Sequence, residues 1–281
     1  MDTILLNNNI EMPMLGIGTK GLNDPDICEQ VVLYSLKEGY RLIDSAPLYH
    51  NENAIGLALS ETDIPREDIF ITSKVIPTSY HKSLALKSIE KTLNRLRIDQ
   101  LDLLLLQSPL IEGWKNAWKM MEKAVDMHLV RSIGVCNFYF DDQIDELCSM
   151  ANIAPVVDQV ECHPFFQQHR LRKKLIMENI RLEAWYPLGH GTSFLINNTI
   201  LMDIATKHHT TICQVILKWH IQVGNIIIPR SSNPYHIQRN FHLGNFSLDP
   251  EDMKKIASLD MGCNFYRVPK AIQKLQYLVV R

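Results

Sequence analysis

The sequence predicts an α/β fold, a (β/α)8 TIM barrel of eight parallel strands with helices between them. Three observations carry this expectation. Short runs of mostly aliphatic or β-branched residues recur along all 281 residues, as in strands buried on both faces. Amphipathic segments separate them. No linker, low-complexity tract or charge block divides the chain, so residues 1–281 read as a single domain. Eight strand–helix alternations fit a closed barrel, whereas a doubly wound sheet usually has fewer strands; element order alone leaves that choice open.

In chain order, ILLNNNIEM sets an Asn-rich turn between apolar pairs and predicts an N-terminal β-hairpin cap over the bottom of the barrel. The strand runs follow: MLGIGTK (14–20), RLIDSA (41–46), IFITSKV (69–75), LDLLLLQSP (101–109), SIGVCN (132–137), VVDQVECH (156–163), RLEAWYPL (181–188) and NIIIPR (225–230). Two helices are clearest. Over 26–38, Ile27, Val31, Leu33, Tyr34 and Leu36 form an apolar stripe, and Gly39 is a natural stop. Over 82–97, Leu84, Leu86, Ile89, Leu93 and Leu96 recur at helical spacing among Lys and Glu.

Composition excludes several classes. Hydrophobic residues make up 46% and charged residues 21%, ordinary for a soluble globular protein. A net charge of −2 gives no electrostatic case for nucleic acid or an anionic membrane. No apolar run nears the roughly eighteen residues of a membrane span. The start lacks the basic and apolar regions of a signal peptide. Cys28, Cys136, Cys148, Cys162, Cys213 and Cys263 are scattered without a CxxC pair, which suits free thiols in a reducing, cytoplasmic setting. The histidines form no metal-spaced set, so no metal is expected.

In a barrel, chemistry belongs at the C-terminal strand ends. These ends carry Asp44, with Tyr49 in the following loop, then Lys74, Gln107 with Ser108, and Asn137. Beyond them come Asp158, Gln159, Glu161 and His163, Trp185 with Tyr186, and Arg230 with Ser231 and Ser232. A buried lysine beside a carboxylate stays protonated, and its charge lowers the pKa of a nearby tyrosine. Such a tyrosine can protonate a carbonyl oxygen as hydride reaches carbon. The plain alternative is a buried ion pair with a structural tyrosine, which three successive strand ends make less favoured.

MPMLGIGT, GYRLIDSAPLYHNENAIG, ITSKV, LDLLLLQSP, IGVCNF, QVECHP and IPRSSNPYHIQRNF follow one another between residues 12 and 248. Together they resemble the signature segments of the aldo-keto reductase superfamily. The resemblance implies that Asp44, Tyr49 and Lys74 are catalytic, with Tyr49 as general acid. It places Asn137 and Gln159 on a nicotinamide carboxamide, Trp185 stacked on the ring, and Tyr186 and Leu188 along the pyrophosphate, with Thr19 and Asp44 also on the cofactor side. Arg230, Ser231, Ser232, His236, Arg239 and Asn240 would surround the adenosine. Two arginines and two serines suit a 2′-phosphate, hence NADPH, with NADH possible.

The chain departs from that pattern. Gln107 stands where the family has its fourth catalytic residue, a histidine; a glutamine can donate to a carbonyl but cannot titrate. Ser108 and Lys20 replace pocket aromatics, which predicts a more polar substrate pocket, edged by His50. Lys20 either meets an anionic group of the substrate or reaches solvent. His236 replaces an arginine, Arg239 an often acidic residue, and Cys136 a serine. His163 is read as structural. In the tail, Phe265, Tyr266 and Val268 are placed over the pocket mouth and IQKLQYLVV on the barrel exterior.

The sequence thus predicts an NADPH-dependent oxidoreductase transferring hydride between nicotinamide and a carbonyl or alcohol. Its partner is a small-molecule substrate, with no nucleic acid or membrane, and family analogy implies a monomer. Gln107 keeps two rivals in play. One is redirected chemistry, as C=C reduction or a redox-neutral step; the other is a non-catalytic cofactor-binding protein.

Overall fold

The computed structural model describes residues 2–109 and 112–266. The chain begins with β1 (Thr3–Leu5) and β2 (Glu11–Pro13), paired antiparallel with Thr3 opposite Pro13. Asn9 takes the left-handed turn position at φ 64°, a conformation asparagine tolerates. The eight barrel strands follow. They are β3 (Ile17–Gly18), β4 (Leu42–Asp44), β5 (Phe70–Val75), β6 (Leu101–Leu106), β7 (Val130–Cys136), β8 (Val157–Glu161), β9 (Arg181–Trp185) and β10 (Ile226–Ile227).

Each barrel strand pairs in parallel with its sequence neighbour. The two ends of the sheet then meet. Gly16 N donates to Ile227 O at 2.8 Å, Ile227 N to Met14 O at 2.9 Å and Gly18 N to Pro229 O at 3.0 Å. Closure leaves no sheet edge, and it settles the choice against a doubly wound sheet. The first and last runs are two-residue strands, and Pro229, just past the last, has no N–H to extend its ladder.

Eleven helices run between and after the strands among the described residues. Before β7 come α1 (Pro25–Glu38), α2 (Glu52–Glu61), α3 (Lys82–Leu96) and α4 (Trp114–Asp126). After it come α5 (Asp141–Met150), α6 (His169–Met177), α7 (Ser193–Ile196), α8 (Thr199–Lys207), α9 (Ile212–Gln222), α10 (Pro234–Phe241) and α11 (Pro250–Ala257).

Alternation along the strands separates two cores. Ile43, Ile71, Leu104 and Ile133 pack outward with the helices. Leu42, Phe70, Leu103, Leu105, Val157 and Ile226 fill the inside, together with Leu6 and Met12 from the hairpin. Asn7 Nδ2 donates to Pro155 O and Asn179 O, each two residues before a strand, and Arg181 donates to Leu5 O. The hairpin therefore plugs the N-terminal end of the barrel, as the sequence predicts, and leaves the opposite rim for chemistry.

Gly39 ends α1 at φ 110°, with its N–H on Leu36 O. A Cβ there would lie 2.8 Å from Phe241 Cζ. Gly39→Ala combines left-handed strain with a clash and is expected to destabilise by about 1–3 kcal/mol, read by urea denaturation. An unchanged midpoint would show that α10 yields freely.

Candidate active site

Asp44 closes β4 and Lys74 lies near the end of β5, which brings both to the top of the barrel interior. Lys74 Nζ donates to Asp44 Oδ2 at 2.5 Å and to Ser45 O at 3.0 Å, and both side chains are buried. Tyr49 sits on a short 3-10 turn (Pro47–Tyr49) that His50 ends in the left-handed region. The Lys74 ammonium lies 5.3 Å from the Tyr49 ring centre. Asn51 anchors this loop, donating to Thr19 O and accepting from Ser45 Oγ, each at 2.9 Å. Thr19 Oγ1 in turn donates to Asp44 O. The three charged or phenolic strand-end residues thus converge.

Their electrostatics differ in one respect from the sequence expectation. Burial pulls the Lys74 ammonium down most strongly, but the charge and hydrogen bond of Asp44, together with Tyr49 and Cys136, outweigh it and hold the lysine above its usual range. For Tyr49, burial raises the pKa more than Lys74 lowers it, so the net shift is upward. The lysine acts in the predicted direction, yet desolvation dominates. Tyr49 is therefore the neutral phenol, the form that donates a proton.

Below this pair lies a polar layer. Gln159 Nε2 donates to Asp44 Oδ2 at 2.8 Å and to Glu183 Oε2 at 2.9 Å. The Cys136 thiol reaches Gln159 Oε1 at 3.7 Å. Strand register sets these three at one height, with Cys136 opposite Gln159 and Gln159 opposite Glu183. Glu183 is fully buried, and burial, then the Asp44 charge, push it up to about 8. Sequence reasoning passed over Glu183. Its signal was an acid within the apolar run RLEAWYPL, two residues from Trp185 on the same strand face.

On the substrate side, Gln107 is held by its backbone: its N–H donates to Val75 O and its carbonyl accepts from Asn137 Nδ2 at 3.0 Å. Its side-chain Nε2 points to Cys136 Sγ at 3.9 Å, and Oε1 is buried without a hydrogen-bond partner among the described residues. Ser108 is fixed by the buried Tyr80, whose hydroxyl donates to Ser108 O and accepts from Ser108 N, each at 2.9 Å. No motif marked Tyr80 in the sequence. Asn137, at φ 65°, accepts from Trp185 Nε1 at 3.1 Å. The Lys20 ammonium lies 4.4 Å from the Tyr266 ring centre and 5.7 Å from that of Trp185. His50 is exposed at the rim. Tyr266 stands against Lys20 and Trp185, whereas Phe265 packs on His163 and Phe165; Val268 and IQKLQYLVV lie outside the described residues.

The remaining predicted residues group around α10. Arg230 reaches Gly21 O at 3.0 Å, and Ser231 Oγ accepts from Asn233 N. Asn233 caps the helix. Ser232 and His236 are exposed, and Asn240 is buried. Arg239 donates to Tyr235 Oη at 2.7 Å and Gln214 Oε1 at 3.2 Å. A helix N-terminus with an arginine and two serines suits a phosphate. Tyr186, at φ 62°, stacks on His190 with centres 5.1 Å apart, and Leu188 is half-buried beside it. Among the described residues Gln159 Oε1 faces only a distant thiol and so retains capacity for a carboxamide N–H, whereas both ends of the Asn137 amide already have protein partners. The residues present fit a nicotinamide dinucleotide, with Asn137 sharing its bonds. Among the described residues no His, Cys, Asp and Glu cluster could hold a metal, and no helix is long and apolar enough to cross a membrane.

Glu183 has a thermodynamic signature. Its folded pKa lies above the roughly 4.3 of an unfolded glutamate, so between about pH 5 and about pH 8 the folded state holds a proton here that the unfolded state has lost. Stability contributed by this group therefore falls over that window, by at most about 1.4 kcal/mol per pH unit. Glu183→Gln is expected to remove this slope, measured as the difference in unfolding free energy between variant and wild type at pH 5 and pH 8. Parallel pH profiles for the two proteins would refute the assignment.

Comparison with known proteins agrees with this geometry. The profile of the Aldo/keto reductase family matches residues 14–261. Glyoxal reductase of Bacillus subtilis (strain 168) is 39% identical over 92% of this chain and 93% of its own. Methylglyoxal reductase DkgA of Salmonella typhimurium is 33% identical over 92% and 94%. Among solved structures, the aldo-keto reductase MGS-M4 from a Medee basin deep-sea metagenome library superposes with a TM-score of 0.91 at 35% identity, covering 94% of this chain and 97% of that one. An aldo/keto reductase from Brucella melitensis gives 0.88 at 37% identity, covering 92% and 98%. Sequence and closed barrel alike make this chain a member of the aldo/keto reductase family of oxidoreductases.

Proposed function

We propose that this chain is an NADPH-dependent oxidoreductase that reduces a carbonyl to an alcohol, or runs the reverse, with Tyr49 as the proton donor. The carrying observation is the buried Asp44–Lys74 pair set against a neutral Tyr49 at the rim. When bound, NADPH supplies a hydride to the carbonyl carbon and becomes NADP+. Tyr49 Oη gives its proton to the carbonyl oxygen, so the product is a neutral alcohol. The phenolate left behind is stabilised by the Lys74 ammonium, whose own charge Asp44 secures. Tyr49 is half-buried, so solvent can restore its proton. Gln107 has no proton to exchange near neutral pH, so the rate lacks the ionisation step that a histidine would bring.

The 2′-phosphate reading is supported by Arg230, Ser231 and Ser232 just before α10 and by Arg239 in its last turn. Relatives named for glyoxal and methylglyoxal reduction support a small carbonyl substrate. Scattered free thiols, three of them buried, support a reducing compartment, the cytoplasm. The same reading takes residues 1–281 as one barrel domain.

The test is NADPH consumption against aldehydes, ketones and keto acids. Tyr49→Phe is expected to lose about 10²–10⁴-fold in kcat while still binding NADPH by fluorescence titration. Unaltered turnover in Tyr49→Phe would sink the proposed acid. NADPH binding with no turnover of any substrate would favour the non-catalytic reading, for which the Gln107 amide turned to Cys136 is the supporting observation. For cofactor choice, Arg230→Ala is expected to weaken NADPH by about tenfold or more and NADH far less. Equal losses for both would assign Arg230 to the shared part of the two cofactors.

A further inference from the structure

We propose that Lys20 makes the pocket selective for carbonyl substrates that also carry a carboxylate. The inference rests on the reductase reading and adds a substrate class to it. Lys20 belongs to a segment fixed on both sides. Thr19 N donates to Asp44 O, Leu22 N returns to Thr19 O, and Arg230 holds Gly21 O. The Lys20 backbone is therefore set beside Asp44 and does not wander with solvent.

The Lys20 side chain is exposed, and its ammonium is oriented by aromatic rings. It stands against the rings of Tyr266 and Trp185 and takes part in no ion pair among the described residues. Both rings are held. The backbone N–H groups of Phe265 and Tyr266 donate to the buried Glu161 carboxylate at 2.6 and 3.1 Å. His163 pairs with the same carboxylate and stacks on Phe265, centres 4.2 Å apart. Trp185 is tied to Asn137, which holds the Gln107 carbonyl. Through that chain of contacts Lys20 shares a rim with Gln107.

Charge accounting then favours an anion. The Lys74 charge is matched by Asp44, whereas aromatic faces attract the Lys20 charge without neutralising it. A carboxylate adds an ion pair where the rings give only a quadrupole. The single positive charge suits a carboxylate better than a phosphate dianion. The need for such an anchor is visible at Gln107, whose amide is directed to Cys136 and holds a substrate carbonyl weakly. A second contact away from the reacting carbon restores orientation.

The experiment compares acids with their methyl esters, which hold length and carbonyl environment close. Two pairs of different reach are used: pyruvate with methyl pyruvate, and 4-carboxybenzaldehyde with methyl 4-formylbenzoate. In the wild type, kcat/KM is expected to favour the acid in at least one pair, by a ratio that shrinks as salt rises. Lys20→Met is expected to lower that acid-to-ester ratio by about fivefold or more, and Lys20→Arg to keep most of it. A ratio unmoved by Lys20→Met in both pairs, or a wild type that prefers both esters, overturns the role of Lys20 while the reductase reading stands. No turnover of any of the four compounds overturns the reductase reading, and this inference with it.

Discussion

The buried contact between Lys74 and Asp44 organises the barrel rim. Placing two charges inside a barrel is costly unless their remaining donors and acceptors are used. Here they are: Lys74 also meets Ser45 O, and Asp44 Oδ2 also accepts from Gln159. These bonds tie β4 and β5 to β8 on the far side of the interior, and Gln159 extends the tie to Glu183 on β9. The pair thus fixes the strand ends against one another across the barrel and supplies the charge beside Tyr49.

The loops above this layer are aimed by backbone conformation. Asn137 and Tyr186, each just beyond a strand, and His50, at the end of the Pro47–Tyr49 turn, adopt a positive φ, a conformation that most side chains avoid. Such positions persist where surrounding contacts over-determine them. Asn137 is held by bonds to the Gln107 carbonyl and from the Trp185 indole. Tyr186 is stacked on His190. The rim therefore presents a fixed set of side chains, and Arg230 and α10 with Arg239 stand beside it.

The sequence predicts all eight strands, the hairpin plug and the Asp44–Lys74–Tyr49 grouping because each rests on local pattern. Apolar runs mark strands, and strand ends mark the rim. What was hidden depended on distance in the chain. Tyr80 grips Ser108 from a loop that carries no motif. Glu183 matters only because register sets it opposite Gln159. Tyr266 meets Lys20 across nearly the whole sequence. The direction of the Tyr49 shift was hidden for another reason: residue types reveal the opposing charges, whereas the desolvation that outweighs them needs coordinates.

That balance at Tyr49 bears on how the substrate side works. A phenol kept protonated by burial is a weak acid, so if Tyr49 is the proposed donor its proton release must be coupled to negative charge growing on the carbonyl oxygen. The ammonium of Lys74 then counts most, since it stabilises the phenolate only as it forms. Precise placement of the carbonyl oxygen becomes the demanding requirement. Gln107, turned toward Cys136, is poorly arranged to meet it alone. On that proposal the polar residues of this rim form one arrangement: with a glutamine at the carbonyl, the burden of orientation would move outward, to where Lys20 stands against Tyr266 and Trp185.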